Sequence, residues 1–306
     1  MIIKKIALGI ALTAGISCMT SCSMCSNGTS SNEFDLSGAD TLSEAPLQLS
    51  ENVVNDMIQN ISSPVEMANQ IKRSGAGFSQ QILNSTDNIK NYDTSFKRAL
   101  NLGVYSADLG YINTFNKNTV VVSYLVAVKD LADGLNVGQF LDFQTLKRLA
   151  TNNTNLDSLK QLSVSSFNQM DKYLRDQKRS NVSTAIVAGA WLEGIYITSQ
   201  VIEQTHDEDL TFRLGEQKDI VNILLIILNN YSKTDKNFKD LVAKIEEIKQ
   251  VYDGVRITTE LGEPITKEVD GMLVIEQNEI SHVEITSEQV DSIIEKVKEA
   301  RKFVVG

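Results

Sequence analysis

The longest hydrophobic pattern in the chain covers residues 181–203, NVSTAIVAGAWLEGIYITSQVIE, where apolar side chains occupy nearly every side of a helix. Glu193 is the only charged residue before Glu203, so no wide face is left for solvent. Small residues such as Ala185 and Gly189 let neighbouring backbones approach closely. The pattern therefore predicts a central helix that is surrounded by other helices.

A second apolar helix is predicted over residues 92–115. Asp108 is the only charged residue in the long stretch between Arg98 and Lys117. Both helices place an acid three residues before a tyrosine, as Asp108-Leu109-Gly110-Tyr111 and Glu193-Gly194-Ile195-Tyr196. This parallel predicts that two similar helices pack together at the centre of the protein.

Amphipathic segments on both sides of these helices predict further helices at 51–61, from Pro64 onward, and at 119–134, 140–150, 157–179, 207–231 and 236–255. The pattern then changes to β-rich pieces at 272–275 and 282–285, which predict a hairpin or ribbon with its turn at 277–279. Ser287 is the expected cap of a closing helix that ends near Phe303. The predicted fold is mainly α: a multi-helix bundle, or a helical array such as a TPR-like one, with a small C-terminal β-hairpin and a closing helix.

The N-terminal residues are typical of a bacterial export signal. Lys4 and Lys5 precede an apolar run that has about half the ~20 residues needed to span a bilayer. Small residues then lead to cysteine, and this end resembles the lipobox of bacterial lipoproteins, with Cys22 as the best match for the lipidated residue and Cys18 as the runner-up. The alternative is a secretory signal that is cleaved without lipidation. We therefore expect a signal peptide at 1–21, a flexible tether at 22–50, and one helical domain at 51–306 with its β element at about 256–286.

Composition narrows the function classes. The chain has 306 residues and a formal net charge of −10, and the predicted signal peptide removes two lysines and no acid. This acidity argues against nucleic acid as a partner. All three cysteines lie in the first 25 residues, so the predicted domain has no cysteine for a disulfide, a thiolate metal site or a nucleophile.

Asp108 and Glu193 are the candidate functional residues, because a carboxylate on an apolar helix needs a basic partner, hydrogen bonds, a cation or a proton. One interpretation is structural: each acid accepts hydrogen bonds and fixes the helix register. The other is a ligand groove, in which aromatic residues surround a few polar groups as in a sugar or peptide cleft. The side chains of that groove would be Asp108, Glu193, Tyr105, Tyr111, Trp191 and Tyr196.

A metal site is not expected. Glu203 and His206 have the Glu-x-x-His spacing of di-iron carboxylate bundles, but such a site needs a second copy, and the only other histidine, His282, falls in the predicted ribbon. A solvated helix end beside Asp207 explains the spacing better. No zinc protease, nucleophile-elbow, Walker or dinucleotide motif follows the required elements. We accordingly expect no catalytic residue and no cofactor.

Three stretches together resemble a family of uncharacterised helical lipoproteins of Bacteroidota: NLGVYSADLGY at 101–111, NLDSL at 155–159 and GAWLEGIY at 189–196. The similarity covers roughly residues 61–231. It implies a helical fold and an envelope location. Ser23 at the second position of the expected mature chain resembles outer-membrane sorting, so we expect an outer-membrane lipoprotein on the periplasmic face or the cell surface. The family has no assigned activity, so the resemblance transfers no catalytic residue.

The expected function is a lipid-anchored envelope protein with a non-catalytic binding or scaffolding role. Its partners would be the membrane, through the lipid anchor, and an unknown envelope protein or glycan. Two alternatives remain open at this point. One is an envelope enzyme that acts on glycan or peptide through a buried carboxylate pair, and the other is a small-ligand carrier with an apolar pocket beside Trp191.

Overall fold

Helices dominate the structure. The computed structural model describes residues 64–151, 156–269, 272–276 and 279–306, and in these ranges the chain forms nine α-helices and four short β-strands. The helices are α1 (Pro64–Arg73), α2 (Ser95–Thr114), α3 (Asn118–Gly134), α4 (Phe143–Thr151), α5 (Leu156–Asp176), α6 (Ser180–Thr205), α7 (Glu208–Ser232), α8 (Lys236–Tyr252) and α9 (Ser287–Val305). The strands are β1 (Arg256–Leu261), β2 (Ile265–Val269), β3 (Met272–Glu276) and β4 (Glu279–Glu284). A mainly α bundle with a small β element and a closing helix is thus confirmed.

The closing helix begins one position earlier than the sequence suggested. Thr286, rather than Ser287, is the N-cap of α9. Its side chain accepts a hydrogen bond from the backbone N–H of Gln289, whose own side chain accepts one from the backbone N–H of Thr286. This reciprocal capping box satisfies two backbone donors at once, which Ser287 could not do in the same register. The helix predicted at 51–61, the signal peptide and the tether lie outside the described residues.

The two apolar helices pack against each other at the centre of the bundle, as predicted, and α2 and α6 share the most extensive helix contact in the described chain. Glycines bring the two backbones together. A methyl group on Gly103 of α2 would lie 2.0 Å from the carbonyl oxygen of Ile186, and one on Gly189 of α6 would lie 1.9 Å from that of Leu100. No other residue type fits at these two positions without moving a backbone.

The central helix α6 is surrounded on nearly all sides. Within the described residues it is the one helix long and apolar enough to cross a membrane, and 83% of its most apolar window is buried inside the protein. The core helix of a bundle has this same composition. Trp191, Leu192, Ile195 and Ile197 are each at most 2% exposed.

The predicted β-hairpin is present, but its strands pair differently from the prediction. β3 pairs antiparallel with β2 rather than with β4, and Val269 stands opposite Met272. Two residues therefore separate the paired ends, and their sequence, Asp270-Gly271, is a preferred two-residue hairpin link. β4 pairs with β1. The predicted pairing of 272–275 with 282–285 was therefore wrong, because the stronger Asp-Gly signal lies upstream. Residues 277–278 of the predicted turn lie outside the described residues.

The chain forms two compact units. One contains the α-helices together with residues up to Glu260 and from Ile280 onward, and the other contains the β2–β3 hairpin. The six side chains of the predicted groove all belong to the helical unit.

Candidate functional site

A buried ion pair joins the central helix to the closing helix. Arg301 of α9 donates from Nε to Oε2 of Glu193 and from Nη2 to Oε1, both at 2.8 Å. Glu193 is fully buried, and the side chain of Arg301 is 14% exposed. The two parallel hydrogen bonds match the planar guanidinium to the carboxylate, the strongest geometry available to such a pair.

Tyr196 covers the guanidinium. It follows Glu193 by three positions, so both side chains lie on one face of α6. The Cζ of Arg301 lies 4.0 Å from the centroid of the Tyr196 ring, within the range of a cation–π contact. Burial opposes the charge on Arg301, but the Glu193 carboxylate outweighs it and raises the pKa of the guanidinium further. Arg301 therefore stays charged, and Glu193 and Tyr196 hold its guanidinium from two sides.

Asp108 of α2 adds a second buried carboxyl to this pair. Its Oδ2 accepts a hydrogen bond of 3.2 Å from the backbone N–H of Asn84. Burial raises the pKa of Asp108 well above its usual range, the negative charge of Glu193 raises it further, and Arg301 counteracts them only in part. Both carboxyls thus interact electrostatically with one guanidinium, which is hydrogen-bonded to Glu193, and the raised pKa of Asp108 favours its protonated form.

The hydrogen bonds support the same protonation state. If Asp108 were ionised, its Oδ1 would lack a donor. A hydrogen bond between the side chains of Asp108 and Glu193 also raises the pKa of Asp108, and such a bond needs a proton because two ionised carboxylates have no donor between them. In this state the cluster contains one carboxylate, one neutral carboxylic acid and one guanidinium, and it carries no net charge. A buried polar cluster with all of its groups paired is stable, whereas a partly paired one is costly.

A short segment covers the cluster. We call residues 79–92 the strap; it contains two 3-10 turns, Gln80–Ile82 and Thr86–Asn91. Its backbone is bound mainly by side chains: Arg301 Nη2 donates to the carbonyl of Ile82 at 3.3 Å, and Tyr124 donates to that of Asn84 at 2.9 Å. The amide of the Asn84 side chain donates to the hydroxyl of Tyr92 at 3.0 Å, and that hydroxyl donates to the carbonyl of Val305 at 3.2 Å. Side-chain hydrogen bonds therefore tie the strap to α3 through Tyr124 and to α9 through Arg301 and Tyr92.

Three of the four aromatic residues of the predicted groove, Tyr105, Tyr111 and Trp191, are buried and form hydrogen bonds outside the acid pair. Tyr105 donates to the carbonyl of Ser85 at 2.7 Å, and Tyr111 accepts from the backbone N–H of Ser79 at 3.1 Å, so both hold the strap. Trp191 donates to the side chain of Gln217 on α7 at 3.1 Å. These three side chains are at most 1% exposed. The structure brings Asp108, Glu193 and Tyr196 into one cluster, while the indole of Trp191 takes part in a separate contact.

Arg301, Asn84, Tyr92 and Tyr124 were missed by the sequence reasoning. One signal could have found Arg301, because it lies on the apolar stripe of the closing helix. Val290, Ile294, Val297 and Arg301 follow one another at helical spacing, and the other three side chains are buried. A charged residue in such a stripe requires a buried partner of opposite sign. Asn84 had no comparable signal, since its role depends on backbone groups of an irregular segment.

The histidines show no metal site. His206 ends α6 with φ 51°, in the left-handed region, as a helix C-terminus often does. Glu203 pairs instead with Lys298 at 2.7 Å, and His282 is exposed and lies 3.8 Å from Glu260. In the parts of the chain that the structure describes, no three His, Cys, Asp or Glu side chains are grouped in a way that could hold a metal ion.

Comparison of the chain with protein-family models, with curated proteins and with solved structures gave no match.

Proposed function

We propose that the protein is a lipid-anchored envelope lipoprotein whose helical domain has a non-catalytic binding or scaffolding role. The N-terminal pattern supports an anchor at Cys22, and the resemblance to helical lipoproteins of Bacteroidota supports a location in the envelope. Ser23, next to the expected lipidated residue, supports the outer membrane, on its periplasmic face or the cell surface. The observation that supports a non-catalytic role is that both acids are buried and already bound by other groups of the protein. Glu193 binds Arg301 with both oxygens, and Asp108 and Glu193 are each 0% exposed.

The rival function as a glycan or peptide hydrolase needs both carboxyls in an open cleft, with one free to donate a proton to a leaving group and the other free to attack or to activate water. The geometry favours a structural role instead, since Glu193 is held by Arg301 and Asp108 by the strap. A role in holding helices together fits a domain that presents its outer surface to a partner.

Metabolic labelling with an alkyne fatty acid tests the anchor. The full chain is expressed with its own leader in a bacterial host of the same phylum, and the variants Cys22→Ser, Cys18→Ser and Cys25→Ser are compared with it. We expect the wild type and the Cys18 and Cys25 variants to carry the label in the membrane fraction, and the Cys22 variant to lose it. An unlabelled wild-type protein would support a plain secretory signal and overturn the lipoprotein assignment.

A turnover assay tests the non-catalytic role. The full chain is incubated with purified peptidoglycan and with envelope peptides, and released fragments are analysed by mass spectrometry. We expect no release above a protein-free control. Release that is retained in Asp240→Asn, an exposed acid on α8, but lost in Asp108→Asn would establish the hydrolase and reject the proposal.

A further inference from the structure

The strap contacts Asp108 and Arg301 through its backbone, and it is built from 3-10 turns instead of an α-helix. Its outer side chains, including Gln80, Ser85 and Lys90, are exposed, whereas Ile82 and Asn84 face inward and are at most 7% exposed. Much of its attachment comes from side chains that reach its backbone from α2, α3 and α9. Segments held in this way open at a lower free energy than helices of the core.

The charges beneath the strap do not balance without a proton. Asp108 and Glu193 contribute two carboxyls, Arg301 contributes one guanidinium, and Oδ1 of Asp108 has no other donor. Asp108 interacts electrostatically with Tyr105 of α2, Tyr124 of α3, Glu193 of α6 and Arg301 of α9, and it accepts a hydrogen bond from the backbone amide of Asn84 in the strap. Arg301 is the single cation among them.

We propose that the strap is a proton-controlled cover. It stays closed while Asp108 and Glu193 hold one proton between them, and it opens when that proton passes to solvent. Loss of the proton leaves two carboxylates and one guanidinium buried away from water, with one negative charge unpaired. Admitting water lowers the free energy of that unpaired charge. Ile82, Leu83 and Tyr92 of the strap also belong to the apolar core. The strap is nevertheless the first segment to open, because its backbone forms only two short 3-10 turns, whereas α2, α6 and α9 have the continuous backbone hydrogen bonds of long α-helices.

Opening would free backbone groups of the strap at defined positions. The carbonyl of Ile82 would separate from Arg301, and both backbone groups of Asn84 would separate from Asp108 and Tyr124. The helices would remain in place, so the change would be local. This inference does not depend on the proposed envelope function.

Hydrogen exchange of the full chain, followed by mass spectrometry, tests the cover. Exchange of peptides from residues 79–92 is measured from neutral to alkaline pH, with the intrinsic rates corrected for pH. Asp108→Asn keeps an acceptor for the Asn84 amide and a permanent donor to Glu193, so it mimics the protonated state at every pH. Asp240→Asn, an exposed acid on α8, serves as the matched control.

We expect the strap of the wild type and of Asp240→Asn to lose at least tenfold protection as the pH rises, while peptides of α2 and α6 stay protected. In Asp108→Asn the strap should stay protected throughout. The same pH dependence in all three proteins would overturn the proposal. So would a strap that stays closed in the wild type up to the pH at which the whole protein unfolds.

Discussion

Arg301 and Glu193 meet through two hydrogen bonds of 2.8 Å although 108 positions separate them in the chain. The contact joins the closing helix α9 to the central helix α6. Both groups are taken out of water, so a large desolvation cost offsets their attraction, and the pair fixes how the two helices meet more than it adds stability. Removing one partner alone should therefore be far more harmful than replacing both.

Glu193→Gln should lower the free energy of unfolding by about 3–5 kcal/mol, because it leaves the Arg301 charge buried without a counter-ion. Denaturant unfolding followed by Trp191 fluorescence measures this directly, since Trp191 is the only tryptophan and lies on the same helix. Glu203→Gln is the matched control: its carboxylate pairs with Lys298, but both side chains are at least 40% exposed. The control should lose at most about 1 kcal/mol. Equally small losses of unfolding free energy in both variants would show that Glu193 has no structural role.

Replacing both partners of the buried pair by methionine should restore stability relative to the single changes. Arg301→Met leaves the Glu193 carboxylate buried without its partner, and Glu193→Met leaves the Arg301 guanidinium buried without its partner. The double variant instead buries two apolar side chains of similar length. We expect a favourable coupling of about 0.5–3 kcal/mol in a double-mutant cycle. Strictly additive losses would mean that the two side chains act independently, against the bidentate geometry.

Gly103→Ala and Gly189→Ala should each destabilise the protein by about 1–3 kcal/mol, or more, because the added methyl group would meet backbone atoms at 2.0 and 1.9 Å. Backbone atoms of the opposing helix cannot rotate away as a flexible side chain can. Gly77→Ala provides the control, because no atom lies within 4 Å of its added Cβ and its φ is not in the left-handed region. Thermal unfolding should show a clear fall in midpoint for the first two variants and a shift equivalent to no more than about 0.5 kcal/mol for the third. A similar midpoint for all three would contradict the close helix contact.

Much of the helical architecture could be predicted because it follows from local periodicity. The apolar helices α2 and α6 were recognisable by the long intervals around Asp108 and Glu193 without other charges, and their contact followed from small residues. The pairing of the strands was harder to predict from the sequence. β3 carries apolar residues that could face either neighbour, and only the Asp270-Gly271 pair distinguishes the partners.

The carboxyls of the site could be found from the sequence, but their partners could not. A lone acid on an apolar helix indicates that a partner exists, without saying where it lies in the chain. Arg301 lies in a different helix near the C-terminus, and the strap contributes backbone groups, which any residue carries. Side chains that bind backbone groups over long sequence distances leave no periodic signal.

The protonation of Asp108 predicts a stability that depends on pH. Its pKa is raised in the folded state above the ordinary value of 3.8, so the unfolded chain holds fewer protons between the two pKa values. The contribution of Asp108 to stability is therefore fully present below pH 3.8 and is lost as the pH rises toward the folded-state pKa, by about 1.4 kcal/mol for each pH unit. Asp108→Asn has no proton to lose and should escape this decline.

The most direct test of the account is the free energy of unfolding of the wild type and of Asp108→Asn, measured by Trp191 fluorescence from about pH 4 to pH 8. We predict that Asp108→Asn is the more stable protein at neutral pH and that its advantage shrinks as the pH falls toward 4. Asp240→Asn, measured in parallel, should show no such advantage at neutral pH. A wild type that gains stability over Asp108→Asn as the pH rises would mean that Asp108 is buried as a carboxylate. That result would contradict the claim that Asp108 and Glu193 hold one proton between them.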